Sequence, residues 1–321
     1  MSISVIIPLF NKAPFIQEVL VGFIGQLFPN DEVIVIDDCS TDSGPQIVES
    51  LVTPQVSLIK LNKNCGPAAA RNLGAAHASG KYLLFFDADD IPHSELISSL
   101  RYAIEVYPNE VMWSYDIAFE AHGEIIDKGA LLNSSRPSIE LLGVHAFVNS
   151  SLNGKRVCTA SSTCVRSDIF ANSGGFKEEL RYCEDPELWA RLSAKHSLVH
   201  IIKTLATYRD VPKSLSHELR TIPKAAHPYI LTLFKLSLCG GIEYLYLARL
   251  MIKKNILFSA AYNKDRKTLL NYLREVAHLL TPLQLVLCRI ILVTPSQIIY
   301  LLLILRLKLM KLHQNIRFKN L

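Results

Sequence analysis

Four short apolar runs, separated by stretches of helical spacing within the first 86 residues, predict an α/β domain on a doubly wound, mostly parallel sheet. The acids support this reading. Asp37-Asp38 and Asp87-Ala88-Asp89-Asp90 each follow such a run, at the carboxyl ends of strands where ligands of these sheets sit. The charge then changes sign along the chain: residues 1–219 hold 18 Lys/Arg against 26 Asp/Glu, and residues 220–321 hold 16 against 3. Two different bodies are expected, residues 1–218 and 219–321.

The first run, Ile3 to Pro8, is β-branched and stopped by proline, and residues 12–26 carry Phe15, Val19, Leu20 and Phe23 at helical spacing. Glu32 to Ile36 reads as a strand buried on both faces. Ser43 to Leu51 reads as a short helix, Val56 to Leu61 as a strand, Pro67 to Ala78 as an alanine-rich helix and Lys81 to Phe86 as another buried strand. Beyond residue 111 the rhythm changes. Residues 111–119 and 124–127 flank His122-Gly123 as a hairpin, residues 138–148 read as a helix, and Cys158 to Arg166 reads as a strand leading into Gly174-Gly175-Phe176. Glu184 to Ala194 is a helix opened by acids that suit its positive end, and two short strands, 198–202 and 205–208, close the domain.

The remainder reads as apolar helical stretches, 226–252, 255–280 and 282–313, interspersed with Lys and Arg. Its longest uncharged run, Ile290 to Leu305, contains 16 residues, short of the roughly 20 that a spanning helix needs. Basic residues at 306, 308, 311, 317 and 319 beside apolar faces predict a helix lying on an anionic membrane surface. Packing within the chain or against a second copy, and true spanning, are the alternatives.

Half of the residues are hydrophobic and 20% are charged, which excludes a disordered chain. The seven cysteines form no C-x-x-C pair, so reduced thiols in a cytosolic setting are expected rather than a zinc site or a disulfide framework. Met1-Ser2 runs into an apolar strand pattern without a basic n-region or cleavage site, so no signal peptide is expected. The positive charge lies in leucine-rich helices without interleaved aromatics, so no nucleic-acid partner is expected.

Three acidic groups carry the chemistry. Asp37 and Asp38 are placed to accept hydrogen bonds from a base or ribose, while Asp42 caps the next helix. Asp87 and Asp89, two apart in an extended segment, would face one site, where paired carboxylates are costly unless a cation or hydrogen-bond donors compensate them. A hard divalent ion shared with substrate phosphates does this, and Asp90 reads as a helix cap. Glu184-Asp185-Pro186-Glu187 either opens a helix or supplies a general base, with Arg191 two turns on.

In order along residues 3–216 these motifs resemble the family 2 glycosyltransferases. They are Ser4-Val5-Ile6-Ile7-Pro8 with Asn11, Val35 to Asp42, Asn64-Cys65-Gly66-Pro67 leading to Ala70-Arg71-Asn72 and Gly74, Gly80 with Phe86 to Asp90, Gly174-Gly175-Phe176, Glu184-Asp185 with Leu188 and Arg191, and Tyr208-Arg209 with Ser214 and Ser216. The resemblance implies a GT-A fold and an inverting enzyme with a nucleotide-sugar donor, most simply a UDP-sugar. It implies that Pro8, Asp37 and Asp38 hold the nucleoside, that Arg71, Asp87 and Arg209 belong to the nucleotide-sugar site, that Asp89 ligates Mg²⁺ or Mn²⁺, and that Asp185 is the base. Cys39, Pro186 and Val211 depart from the family pattern, the last where a histidine is often found.

The function expected from the sequence is transfer of a hexose or N-acetylhexosamine to a glycan or polyprenyl-linked acceptor. The expected setting is bacterial surface polysaccharide assembly, such as O-antigen or capsule, at the cytoplasmic membrane face. A catalytically silent sugar-nucleotide or glycan-binding subunit, and a membrane scaffold whose tail is its main business, are the alternatives.

Overall fold

The computed structural model describes residues 1–121, 124–127, 137–153, 155, 157–180, 183–211, 228–239, 241–262, 266–295 and 298–299. The chain divides into two compact units, Met1–Pro212 and Lys213–Leu321.

The front unit begins β1 (Ile3–Leu9), α1 (Ala13–Ile24), β2 (Glu32–Asp37), α2 (Gly44–Glu49), β3 (Val56–Lys60), α3 (Pro67–His77) and β4 (Tyr82–Phe85). It continues β5 (Ile91–Pro92), α4 (Leu96–Val106), β6 (Met112–Ala121), β7 (Glu124–Asp127), β8 (Ser138–Leu142), α5 (Ala146–Leu152), a 3-10 turn (Ala160–Ser162), β9 (Thr163–Arg166), α6 (Ser167–Asn172), α7 (Glu184–Ser193) and β10 (Leu198–Arg209). The first three helices each carry proline in their first two positions, where its fixed φ and missing N–H cost nothing.

One sheet runs β3-β2-β1-β4-β9-β6-β10-β5, with β7 on β6 and β8 on β10. β3, β2, β1 and β4 are parallel as the β-α-β rhythm requires, and β6 pairs parallel with β10. The short later strands pair antiparallel, so the sheet is mixed rather than mostly parallel. Because β9 runs antiparallel to both β4 and β6, the carboxyl ends of β1, β2, β4, β6 and β10 lie along one edge.

The fold differs from the sequence reading in specific places. Residues 138–148 form β8 and the start of α5 instead of one helix; β8 is an edge strand with mostly exposed side chains, so it lacks a buried period-2 signal. β10 is one strand, with register shifts around Thr204 where two strands were expected. Only Thr163–Arg166 of the 158–166 run is strand. The β6–β7 hairpin forms as read, although its turn residues 122 and 123 lie outside the described residues.

One sheet face packs Val5, Ile7 and Val35 with Ile16, Val19, Leu20 and Phe23 of α1, and the other packs Ile34 and Ile36 with Ala70 of α3. The approach of α3 depends on Gly74, where an added Cβ would lie 2.5 Å from Ile6 Cγ2. This close seat brings Arg71, three residues earlier, against the sheet edge.

The second unit contains α8 (Pro228–Leu238), α9 (Ile242–Tyr262), α10 (Arg266–Val276) and α11 (Pro282–Val293). The expected 226–252 stretch breaks before Gly241, and α9 continues through the break expected near 253. α9 packs on the other three helices, burying Tyr244, Leu247 and Ala248. No helix among the described residues is long and apolar enough to cross a membrane. The basic positions 306, 308, 311, 317 and 319 lie outside the described residues.

Candidate active site

Beyond the carboxyl edge lies a cavity of about 220 Å³ lined by Arg71, Asp87, Asp90, Ile117, Phe119, Thr159, Ala160, Ser161, Glu184, Asp185 and Tyr208. Arg71 organises its acids. From α3 its guanidinium donates to Glu184 Oε1 at 2.7 Å and to Asp87 Oδ1 at 2.6 Å, and it lies 5.5 Å from the centre of the Phe176 ring. Burial opposes its charge, but Asp87 and Glu184 outweigh burial and hold its pKa above the usual arginine value. The Ser161 hydroxyl accepts the Asp87 N–H at 2.9 Å, fixing the chain as it leaves the sheet.

Asp185 stands beside this network at the start of α7, where Cys183 adopts a left-handed φ of 58°. Burial and the neighbouring Glu184 push its carboxyl up to about 8, against the pull of Arg71 and with a further push from Asp87. A carboxylate tuned toward neutral pH is suited to accept a proton from a hydroxyl. Opposite, Phe119 and Tyr208 are register partners on β6 and β10, with ring centroids 5.4 Å apart, and give the cavity an aromatic wall.

The segment after β4 turns instead of remaining extended, with Asp90 N–H donating to Asp87 O at 3.3 Å. Asp87 and Asp90 consequently line the cavity, while Asp89 meets the ammonium of Lys12. Burial raises the Asp89 carboxyl pKa more than Lys12 lowers it, and Asp87 adds to the rise. Asp90 caps no helix. It is buried and accepts the Arg209 N–H at 3.1 Å, and burial with Asp87 and Asp89 holds its pKa well above the usual carboxylate range.

The other expected site residues lie at neighbouring strand ends. Pro8 is opposite Ile36 in the β1–β2 register, and Asp37 Oδ1 accepts the Ser40 N–H at 3.0 Å. Asp38 ties the loop before α3, accepting from Cys65 N at 2.6 Å and Gly66 N at 2.8 Å. Asp42 accepts from Gly44 N and also from Ala13 N, serving the starts of both α2 and α1. The Arg209 side chain turns to Glu18 on α1 at 2.9 Å and lies over Phe15. Of the expected residues, the cavity therefore gathers Arg71, Asp87 and Asp185; Pro8, Asp37, Asp38, Asp89 and the Arg209 side chain lie outside its lining.

Sequence reasoning missed Lys12, Ser161 and the role of Glu184. A lysine ahead of a helix and a serine in a loop carry no pattern of their own. Arg191 supports the site from behind: it pairs with buried Glu187 and donates to the carbonyls of Ser173 at 2.7 Å and Gly175 at 2.6 Å. Asn72 pairs with both the N–H and C=O of Phe176, fixing the ring beneath Arg71.

The acids also fit a hard divalent ion. Asp89 already takes a cation, Lys12, and carboxylate oxygen is the donor such ions share with phosphates. Among the described residues no group of three His, Cys, Asp or Glu is arranged to hold a metal.

Residues 4–121 match glycosyl transferase family 2. An uncharacterised glycosyltransferase of Rickettsia felis is 30% identical over 212 residues, 64% of this chain and 33% of that protein. The poly(ribitol-phosphate) beta-N-acetylglucosaminyltransferase TarS of Staphylococcus aureus is 27% identical over 224 residues, 68% of this chain and 37% of TarS. The chain thus spans about a third of the length of these curated relatives. The crystal structure of TarS 1–349 with UDP-GlcNAc superposes with a TM-score of 0.71 at 18% identity, covering 94% of this chain and 90% of that one. The mannosyltransferase PcManGT of Pyrobaculum calidifontis, with GDP-Man and Mn²⁺, gives 0.54 at 18% identity over 89% and 77% of the two chains. These structural likenesses establish the α/β fold, with a mixed sheet and flanking helices, as that of TarS. The family 2 match covers Arg71 on α3 and the strand ends followed by or bearing Pro8, Asp37, Asp38, Asp87 and Asp89.

Proposed function

We propose that the protein is an inverting glycosyltransferase that moves a hexose or N-acetylhexosamine from a nucleotide sugar to a hydroxyl of a glycan or lipid-linked glycan. The observation that carries this reading is Asp185, a carboxylate raised toward neutral pH on the wall of the cavity that also receives Asp87 from the sheet edge. UDP-GlcNAc is the first donor to test, because TarS binds it in a structure of the same fold.

In this reading Pro8, Asp37 and Asp38 hold the nucleoside and Asp185 takes the proton of the acceptor hydroxyl. The acceptor oxygen then attacks the anomeric carbon opposite the diphosphate. The anomeric C–O bond breaks, its electron pair leaves with the nucleoside diphosphate, and the configuration inverts. Proton removal of this kind is worth about 10²–10⁴-fold in rate. Arg71 keeps Glu184 and Asp87 paired, so that the buried charge is compensated while Asp185 remains available. Asp89 would hold a Mg²⁺ or Mn²⁺, which when bound would neutralise charge developing on the leaving diphosphate.

We place the second unit at an anionic membrane surface on the cytoplasmic side, with acceptors of bacterial surface polysaccharide assembly. Its surplus of basic residues supports this, as does α11, where Leu283, Val286, Leu287, Ile290 and Val293 are exposed at helical spacing.

The test is a panel of nucleotide sugars given to the full chain with Mn²⁺ and an extracted lipid-glycan acceptor. Nucleotide release accelerated by the acceptor is expected. Release that ignores every acceptor would favour the silent binding subunit.

A further inference from the structure

Lys12 occupies an unusual electrostatic position. It directly precedes α1, whose positive end disfavours a cation and whose first turn contains no acid. Its backbone is fixed: Lys12 O accepts from Phe15 N and Ile16 N, each at 3.0 Å. The loop before it is fixed as well, because Asn11, with a φ of 52°, accepts from Thr41 N and donates its own N–H to Ser40 Oγ. The freedom at this position therefore lies in the lysine stem, and its ammonium ends on Asp89 Oδ2, with about a fifth of each side chain exposed.

The neighbouring arginines are engaged elsewhere. Arg71 bridges Asp87 and Glu184 from a buried position, and Arg209 is paired with Glu18. A diphosphate arriving at the Asp87–Asp90 turn meets three carboxylates, and among the described residues Lys12 is a partly open side-chain cation already paired there. A lysine ammonium on a flexible stem can change partners where a locked guanidinium cannot. Once a divalent ion takes the Asp89 oxygen, an ammonium at a helix N-terminus is left beside an incoming polyanion.

We propose that Lys12 is the resident counter-cation of the donor site, held on Asp89 until metal and donor arrive and then transferred to the diphosphate. The proposal rests on the nucleotide-sugar reading above. It makes Lys12 a competitor of the metal and a partner of the nucleotide, so its removal should affect the two ligands in opposite directions.

The test uses the full chain and Lys12→Met, with calorimetry for UDP at saturating Mn²⁺ and electron paramagnetic resonance for Mn²⁺ alone. UDP affinity at saturating Mn²⁺ should fall by at least about tenfold, because a full charge is lost beside a polyphosphate in a partly screened site. Mn²⁺ affinity without nucleotide should rise. Lys12→Arg, which keeps the charge, should retain UDP binding. Weakening of both ligands together in Lys12→Met would reduce Lys12 to a structural role, and unchanged binding of both would also overturn the exchange. Wild-type protein that binds no UDP would remove the donor reading itself, an outcome separate from any effect of the substitution.

Discussion

Arg71 and Glu184 meet at 2.7 Å although 113 residues separate them in the chain. The contact joins α3, on the early β-α-β half of the front unit, to α7, which carries Asp185. Arg71→Met would leave Glu184 and Asp87 without their shared cation, and breaking a buried pair of this sort costs about 3–5 kcal/mol. Both tryptophans, Trp113 and Trp189, are fully buried in this unit, so their fluorescence during denaturant unfolding reads the loss directly.

Much of this architecture is visible in the sequence because buried parallel strands and amphipathic helices leave strong periodic signals. Ile3 to Pro8, Glu32 to Ile36 and Lys81 to Phe86 could be placed as strands from residue type alone, and with them the acids that follow. The Arg71–Glu184 contact could not be read this way, because the pairing is made by tertiary structure between two elements that each look locally complete. The Lys12–Asp89 pair was hidden for the same reason, and the turn at Asp87–Asp90 defeated a period-2 argument that holds only while the chain stays extended. β8 was misread because an exposed edge strand has little burial pattern to offer.

The raised pKa of Asp185 makes stability depend on pH. The folded carboxyl releases its proton near 8 and an ordinary aspartate near 3.8, so between these values the unfolded chain has lost a proton that the folded chain keeps. Its contribution is therefore fully present below the lower value and is lost as pH rises through about 8. Denaturation midpoints across this range should decline for wild type and decline less for Asp185→Asn. In the same range kcat/KM for transfer should rise with pH, since the ionised form is the competent base.

Gly175 has a φ of 65°, and an added Cβ would lie 2.6 Å from Asn72 Oδ1, the atom that accepts the Phe176 N–H. Gly175→Ala should cost at least about 1–2 kcal/mol from the left-handed backbone alone. A lowered melting temperature checks this, and Asn72→Ala should lower it as well.

The membrane assignment of the second unit predicts that the full chain sediments with anionic vesicles and not with zwitterionic ones. Each basic group near such a surface is worth about 1 kcal/mol, so raising the salt should release part of the bound protein. Indifference to both vesicle types, with sedimentation as a discrete oligomer, would instead assign the exposed face of α11 to contacts between copies.

The most direct test of the account is transfer by Asp185→Asn, measured beside UDP-sugar and Mn²⁺ binding by the same variant. The substitution keeps the side chain's shape and removes its capacity to accept a proton. Donor and metal binding should persist, while transfer falls by at least about 10²-fold, the low end of general-base contributions. Near-normal transfer by folded Asp185→Asn would contradict the account; if Glu184→Gln were then inactive, the base would be Glu184, and if both were active the start of α7 would have no part in the chemistry.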